Sequence, residues 1–439
     1  MSYEAIALLM FLSMMLLLAT GQRVFGIIGF VGAVFALLLW GRGGVEMPFN
    51  AAFNLVNWYA LVTLPLFVYM GYMFANSGIA GDLYRMFHVW SGPVRGGLAM
   101  GTILMMVVIS AINGLSVAGM AIGATIAIPQ MLRRGYDKVM ITGVVQAGSS
   151  LGILIPPSVV MVLYGMIARQ PVGHLWLAGV LPGLLLASLF ILYIGLRCWL
   201  QPRLGPALPP EERRMPLREK LKLLRAGISP LVIFLAMMGS FFTGVTSLVE
   251  SAALGALATT IDAAVKRKLT FAVFHETLRN TLAVTCMFMW VITAALCFSA
   301  VFDGLGAIRA IERIFLGWDL EPWQVILMMQ LSYLLLGTFL DDTAMLVIVA
   351  PLYIPLVIKL GYDPIWYGVL YTITCQIAYM TPPFGYNLFL MRAMAPREIT
   401  LSDIYRSIWP FVILMVIAML IVTAFPEIAL WLPGQVYGR

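Results

Sequence analysis

The chain of 439 residues is 62% hydrophobic and 11% charged, with a mean hydropathy of +0.95 and a formal net charge of +7. Those values exclude a soluble fold, and the basic residues sit between apolar segments, where membrane orientation accounts for them without a nucleic-acid partner. Four cysteines without CxxC spacing, read as small core hydrophobes, three scattered histidines and the lack of a Walker A loop or a Ser/His/Asp set predict no metal or redox centre, no ATP hydrolysis and no enzyme.

The apolar stretch from Ala5 to Ala19 lacks a basic n-region and a small-residue cleavage site, so it reads as a membrane helix and not as a signal peptide. Full spans are predicted near 4–20, 24–40, 51–77 and 173–197, with a broken span at about 138–168. Segments 79–96 and 305–322 mix Arg, aromatic and acidic residues and suit helices lying along the interface. Gly97 to Arg134 is apolar yet interrupted at Ser110-Ala-Ile-Asn-Gly-Leu-Ser116. Each arm of about 14 helical residues reaches about 21 Å, short of a hydrocarbon core of about 30 Å. That shortfall predicts a re-entrant hairpin, about 97–134, entering and leaving on one side.

A hairpin adds no net crossing, so residues 1–199 make five crossings and a second copy must be inverted relative to the first. The linker at 200–226 carries Arg203, Arg213, Arg214, Arg218, Lys220 and Lys222 and is predicted cytoplasmic. Counting outward from it places Arg23, Arg85 to Arg95, Arg133, Arg134, Lys138, Lys266 to Lys268, Arg392 and Arg397 on the same side and both chain ends on the opposite, periplasmic side. Residues 227–439 repeat the plan, with a hairpin at about 323–360 and a broken span at about 364–394.

The repetition is visible residue by residue at an ungapped offset of 226. Gly29 pairs with Gly255, Asn54 with Asn280, Gly78 with Gly304, Ile128-Pro129 with Ile354-Pro355, Gly135-Tyr136-Asp137 with Gly361-Tyr362-Asp363, and Pro156-Pro157 with Pro382-Pro383. In a membrane protein such duplication marks a transporter that alternates between two faces. The expected fold is therefore an all-α integral membrane protein of two inverted-topology repeats, each with five crossings plus one re-entrant hairpin.

Four irregular polar sites fall inside apolar sequence: the tips Ser110 to Ser116 and Gly337 to Thr343, and the breaks Gly148 to Ser158 and Thr381 to Asn387. Unwound backbone at membrane depth is tolerated where it is buried in protein or lines a wet cavity. Freed carbonyls with Ser, Thr, Asn and Asp oxygens suit a small hard cation, and half-helix N-termini suit a carboxylate. The expected cargo is an organic anion with a coupling cation. Asp341-Asp342 is the sharpest signal, since an Asp at bilayer depth costs about 2.5–3.5 kcal/mol and adjacent carboxylates repel unless a cation sits between them. Capping of the following half-helix is the plainer reading of the same pair. Glu250 reads as a packing or hydrogen-bonding residue, and Arg169 and Arg392 as interfacial anchors.

At these residues the chain resembles the large membrane subunit of tripartite ATP-independent periplasmic (TRAP) transporters. The matching stretches are Leu132 to Asp137, Gly148 to Ser158, Glu250 to Ala256, Gly337 to Asp342, and Met380-Thr381-Pro382-Pro383, and they span essentially the whole chain. The first turn departs from the usual apolar Gly-x-Pro pattern, reading Gly21-Gln22-Arg23-Val24. The resemblance implies an elevator-type transporter in the bacterial inner membrane, coupled to Na+ and without an organic cofactor. It also implies a small four-helix membrane subunit, expected as a separate chain, and a periplasmic substrate-binding protein. Carried over by motif, Na+ is expected at Ser110, Asn113, Gly148 and Pro156, and at Gly337, Thr338, Asp341, Asp342 and Thr381. Substrate is expected at Ser116, Ser149, Ser150, Pro157, Thr343, Pro383 and Asn387. A stand-alone Na+-carboxylate elevator transporter without a binding protein is the alternative, ahead of an ion channel.

Overall fold

The computed structural model of the chain describes residues 2–209, 215–306, 320–338, 340, 342–382 and 385–438. The described residues are helical or irregular, without a strand. Among the described residues, seven helical stretches are long and apolar enough to cross a membrane: Tyr59–Asn76, Val172–Leu200, Leu217–Phe242, Leu248–Val265, Phe271–Gly304, Asp342–Lys359 and Leu401–Ala424. Shorter apolar helices, Tyr3–Leu18 and Val24–Leu39 among them, accompany these.

The first half opens with α1 (Tyr3–Leu18), α2 (Val24–Leu39), α3 (Met47–Val56), α4 (Thr63–Asn76) and α5 (Ile79–Ser91). The hairpin follows as α6 (Gly97–Asn113), α7 (Ser116–Ile122) and α8 (Ile128–Arg133), the last two joined by a π-helical turn, Gly123–Ala127. The broken span is α9 (Lys138–Ser150) and α10 (Val159–Ala168), and α11 (Val172–Leu200) closes the half. After the linker helix α12 (Leu217–Leu223) come α13 (Ile228–Phe234), α14 (Ser240–Phe242), α15 (Leu248–Val265) and α16 (Phe271–Gly304). The second hairpin is α17 (Pro322–Gly337) and α18 (Asp342–Lys359), and the second broken span is α19 (Pro364–Met380) and α20 (Tyr386–Met394). Helices α21 (Leu401–Ala424) and α22 (Glu427–Tyr437) end the chain.

Element boundaries recur at the sequence offset. Pro364, the first residue of α19, lies 226 positions after Lys138 of α9, and Asp342 lies as far after Ser116. The last residues of α2 and α15, of α8 and α18, and of α10 and α20 share the same spacing. The duplicated Gly-Tyr-Asp triplet explains one of these coincidences. Gly135 and Gly361 adopt positive φ, 71° and 83°, which ends the preceding helix at a conformation that glycine adopts without strain. Asp137 then caps α9 by accepting from the Met140 N–H at 3.0 Å, and Asp363 caps α19 by accepting from Ile365 at 2.7 Å.

Three details differ from the sequence reading. The hairpin arms are longer than about 14 residues, because Ser110 to Asn113 stay helical and only Gly114 and Leu115 separate α6 from α7. The span expected at 51–77 is interrupted at Asn57 and Trp58, where the Asn57 amide turns back to the Phe53 carbonyl at 2.9 Å; its counterpart α16 runs unbroken for 34 residues. Cys286 is exposed, unlike the buried Cys198, Cys297 and Cys375. Of the two interfacial segments, 79–96 contains α5, whose buried face includes Ile79, Leu83, Tyr84 and Met86, while 307–319 lies outside the described residues.

Two groups of helices pack around the irregular segments. In one, α2 lies along α16, and α3 and α4 pack against α16 with α15 alongside α4. Small residues permit the closest approach: a Cβ on Gly32 of α2 would lie 3.0 Å from the Phe298 backbone of α16. Tyr69 and Thr260 share a hydrogen bond of 2.9 Å across α4 and α15. In the other group α6 packs on α9, α9 on α21, and α17 and α21 on α19. Buried polar bonds tie it together, from Gln146 Nε2 to Ser407 Oγ at 3.1 Å and from Trp366 Nε1 to the Val422 carbonyl at 2.9 Å.

Candidate functional site

The first tip and the first break interlock through backbone. Gly114 closes α6 with φ +63°, and its carbonyl accepts from the Val159 N–H of α10 at 3.4 Å. A Cβ on Gly114 would stand 2.0 Å from the Pro157 carbonyl oxygen, and one on Gly152 would stand 2.8 Å from that of Leu115. Within the tip, Asn113 Oδ1 accepts from the Leu115 N–H at 3.0 Å, which leaves the buried Asn113 Nδ2 without a partner. Ser158 caps α10, accepting from the Met161 N–H at 3.2 Å. Ser149 and Ser150 spend their hydroxyls on α9 itself, donating to the Gln146 and Ala147 carbonyls, each at 2.8 Å.

At the second tip, Asp342 is the first residue of α18 and is buried, with 4% exposure. Its carboxylate accepts from the Thr343 N–H at 2.8 Å and the Thr343 hydroxyl at 3.4 Å, and also bonds the Tyr379 hydroxyl. Tyr371 donates to the Asp342 carbonyl at 2.6 Å. Thr338 and Thr381 return their hydroxyls to the Leu335 and Ile377 carbonyls, at 2.7 and 2.6 Å. Asp341 and Pro383, two of the expected site residues, lie outside the described residues.

The two halves meet at these segments. Ser116 Oγ donates to Asn387 Oδ1 at 3.1 Å, and Asn387 Nδ2 donates to Ser149 Oγ at 3.5 Å, so three expected substrate residues form one buried chain of bonds. Gln376 Nε2 donates to the Ser150 carbonyl at 2.8 Å, and these residues are 226 positions apart.

A cavity of about 700 Å³ lies beside this junction. The tips supply one wall through Ser116, Gly337, Thr338, Asp342 and Thr343, with Tyr379, Tyr386 and Phe389 from the second broken span. A scaffold wall comes from Arg23 and Phe25 at the start of α2 and from Cys286, Met287 and Trp290 of α16. Ser110, Asn113, Gly148, Ser149, Ser150, Pro156, Pro157, Thr381 and Asn387 do not line it; apart from the half-buried Thr381 they are buried. Such a chamber, apolar with a few polar groups at broken helices, has the character of a small-solute binding cavity.

The scaffold wall was missed in the sequence. Arg23 reads only as a cytoplasmic-side charge by the positive-inside rule, and Met287, Trp290 and Cys286 read as lipid contact or core within a 34-residue apolar helix. The one available signal is the charged turn itself, Gln22-Arg23, where the family pattern is apolar.

Helix hairpins and broken helices meeting around a chamber inside a multi-pass membrane protein define a membrane transporter. The sequence model of the tripartite ATP-independent periplasmic transporter, DctM component, matches residues 11–428, and the chain belongs to this family of transporter permease subunits. It is 31% identical over 410 residues to the C4-dicarboxylate TRAP transporter large permease protein DctM of Pseudomonas aeruginosa, covering 93% of each chain. The sialic acid TRAP transporter large permease protein SiaM of Vibrio cholerae is 26% identical, with 96% of this chain and 97% of that one covered. Among solved structures, the YdaH transporter of Alcanivorax borkumensis matches with a TM-score of 0.62 at 16% identity, covering 97% and 98% of the two chains. MtrF of Neisseria gonorrhoeae, described among antimetabolite efflux pumps, matches with a TM-score of 0.61 at 15% identity over 88% and 85%. The likeness to these two is one of fold.

Asn387→Ala removes the acceptor of Ser116 and the donor to Ser149 in a buried setting, a loss of about 1–3 kcal/mol. The expected result is a transport KM raised about tenfold in a protein that still elutes as a single species on size exclusion.

Proposed function

We propose that this chain carries an organic anion, a carboxylate, across the inner membrane together with Na+, by an elevator movement. In this reading α2 to α4 and α13 to α16 form a stationary scaffold, and the hairpins and broken spans form the moving block. The observation that carries it is the cavity of about 700 Å³ bounded by scaffold helices and by the tips and second broken span. A solute held there is carried with the block when the block slides against the scaffold. The bond between Gln376 and Ser150, one repeat offset apart, supports two halves related by a rotation axis, and the odd number of crossings expected per half supports their inverted orientation.

Na+ is assigned to the tips and their adjoining breaks, with Asp342 as the charged ligand and Gly337 and Thr338 beside it; Asp341 joins it by sequence alone. The first set is Ser110, Asn113, Gly148 and Pro156, acting through carbonyls where their side chains are already engaged. Substrate contacts are Ser116 and Thr343, with Asn387, Ser149, Ser150, Pro157 and Pro383 behind or beside them. Membership of a tripartite family supports two partners for this chain, a small membrane subunit and a periplasmic binding protein. Both chain ends are periplasmic in this reading.

The test is uptake of radiolabelled organic acids, including a C4-dicarboxylate and sialic acid, into proteoliposomes containing this chain with its small subunit. Each acid is supplied with and without the binding protein and an inward Na+ gradient. Uptake requiring both is expected. Uptake with Na+ but without a binding protein moves the chain to a stand-alone carboxylate carrier.

A further inference from the structure

The cavity of about 700 Å³ has two charged residues in its wall among the described residues, Asp342 from the hairpin side and Arg23 from α2. An organic anion entering a mostly apolar chamber beside a carboxylate needs a compensating cation, and Arg23 is placed to supply one. Its setting is unusual. Arg23 is the N-cap residue of α2, and no side chain caps the first helical N–H groups there. A cation at that end of a helix adds to the positive end of the dipole and opposes helix stability.

The second repeat begins its corresponding helix, α15, in the opposite way. Ser247 caps it, and the Glu250 carboxylate accepts a hydrogen bond of 2.7 Å from the Ser247 N–H. One repeat thus brings its own carboxylate to the helix start. The other leaves its first N–H groups without a side-chain cap, and its Arg23, Val24 and Phe25 line a cavity. Arg23 is exposed, and among the described residues no acid pairs with it.

We infer that the absent carboxylate is supplied by the cargo: Arg23 forms a scaffold-side oxyanion site that holds the acid group of the transported molecule. The inference rests on reading the cavity as the substrate chamber. The guanidinium fork matches the two oxygens of a carboxylate or sulfonate. Because α2 packs along α16 while Asp342 belongs to the hairpin, Arg23 holds the anion in the state that forms this cavity and loses it when the block moves.

The chain carries its own reporter, since Cys286 lines the same cavity and is exposed whereas Cys198, Cys297 and Cys375 are buried. The chain, purified with its small subunit, is labelled with two ethyl methanethiosulfonates, one ending in a sulfonate and one in trimethylammonium; Cys286→Ser identifies the labelled thiol. The sulfonate-to-ammonium rate ratio is expected to fall about tenfold in Arg23→Gln and to be kept in Arg23→Lys. For an acid that the wild type transports, Arg23→Gln is expected to raise KM about tenfold without changing Na+ dependence.

An unchanged ratio in Arg23→Gln, or a wild-type Cys286 that neither reagent labels, overturns the inference while leaving measured uptake standing. A fallen ratio with an unchanged KM overturns it as well, because Arg23 then sets the cavity potential without holding cargo. Absence of uptake of any acid by the wild type removes the chamber reading and the inference with it.

Discussion

Asp342→Asn is expected to abolish Na+-stimulated uptake at ordinary Na+ concentrations while leaving the chain folded. The amide keeps an oxygen to accept from the Thr343 N–H, now at 2.8 Å, so the start of α18 retains its local bond. What it loses is a full negative charge beside the cavity, in a position that costs about 2.5–3.5 kcal/mol to insert when unpaired. A cation about 4 Å from that charge gains about 4 kcal/mol at an effective dielectric constant of 20. Even a fraction of that gain corresponds to an increase of at least about tenfold in the half-saturating Na+ concentration, read from initial uptake rates across a Na+ series. If Asp342 only caps the helix, the Na+ dependence stays at its wild-type value and any effect falls on thermal stability.

Gly114→Ala is expected to destabilise the chain strongly through a single added methyl group. At φ +63° a side chain costs about 1–2 kcal/mol, and the new Cβ would stand 2.0 Å from the Pro157 carbonyl oxygen. Backbone on both sides must separate, which also breaks the bond from the Val159 N–H to the Gly114 carbonyl. The combined loss is about 3 kcal/mol or more, visible as a lower unfolding midpoint in detergent and reduced yield from the membrane. Gly135→Ala provides the comparison: φ there is 71°, but nothing lies within 4 Å of the added carbon, so the conformational cost acts alone and the loss is smaller.

The sequence is most legible where local chemistry decides the backbone. The Gly-Tyr-Asp triplets mark helix stop and helix start in four residues, because a left-handed glycine and an Asp cap act on their immediate neighbours. The short arms between Gly97 and Arg134 lead to the expectation of a hairpin because membrane thickness sets a length requirement. The hairpin tip was drawn too wide, since Ser110 and Asn113 are polar residues that a helix accommodates once buried against a neighbouring break. Cavity walls were harder to read. Ser116 and Asn387 are 271 positions apart and meet through packing, which periodicity cannot report. Arg23, Cys286 and Trp290 gain their meaning from the cavity they share with the hairpins, and a chain read from one end to the other shows them as a cytoplasmic-side charge, a core residue and a lipid contact.

The central claim is that the hairpins and broken spans move against α2 and α16 with the cavity between them. Cys286 of α16 and Phe389 of α20 both line that cavity. In Phe389→Cys the two thiols are bridged with a bismaleimide in proteoliposomes that support Na+-driven uptake, and transport is measured before and after bridging, with each single-cysteine chain as a control. The account predicts that bridging stops uptake while either thiol modified alone leaves most of it. Continued uptake with the bridge in place would contradict the account, because the block would then be transporting without leaving the scaffold.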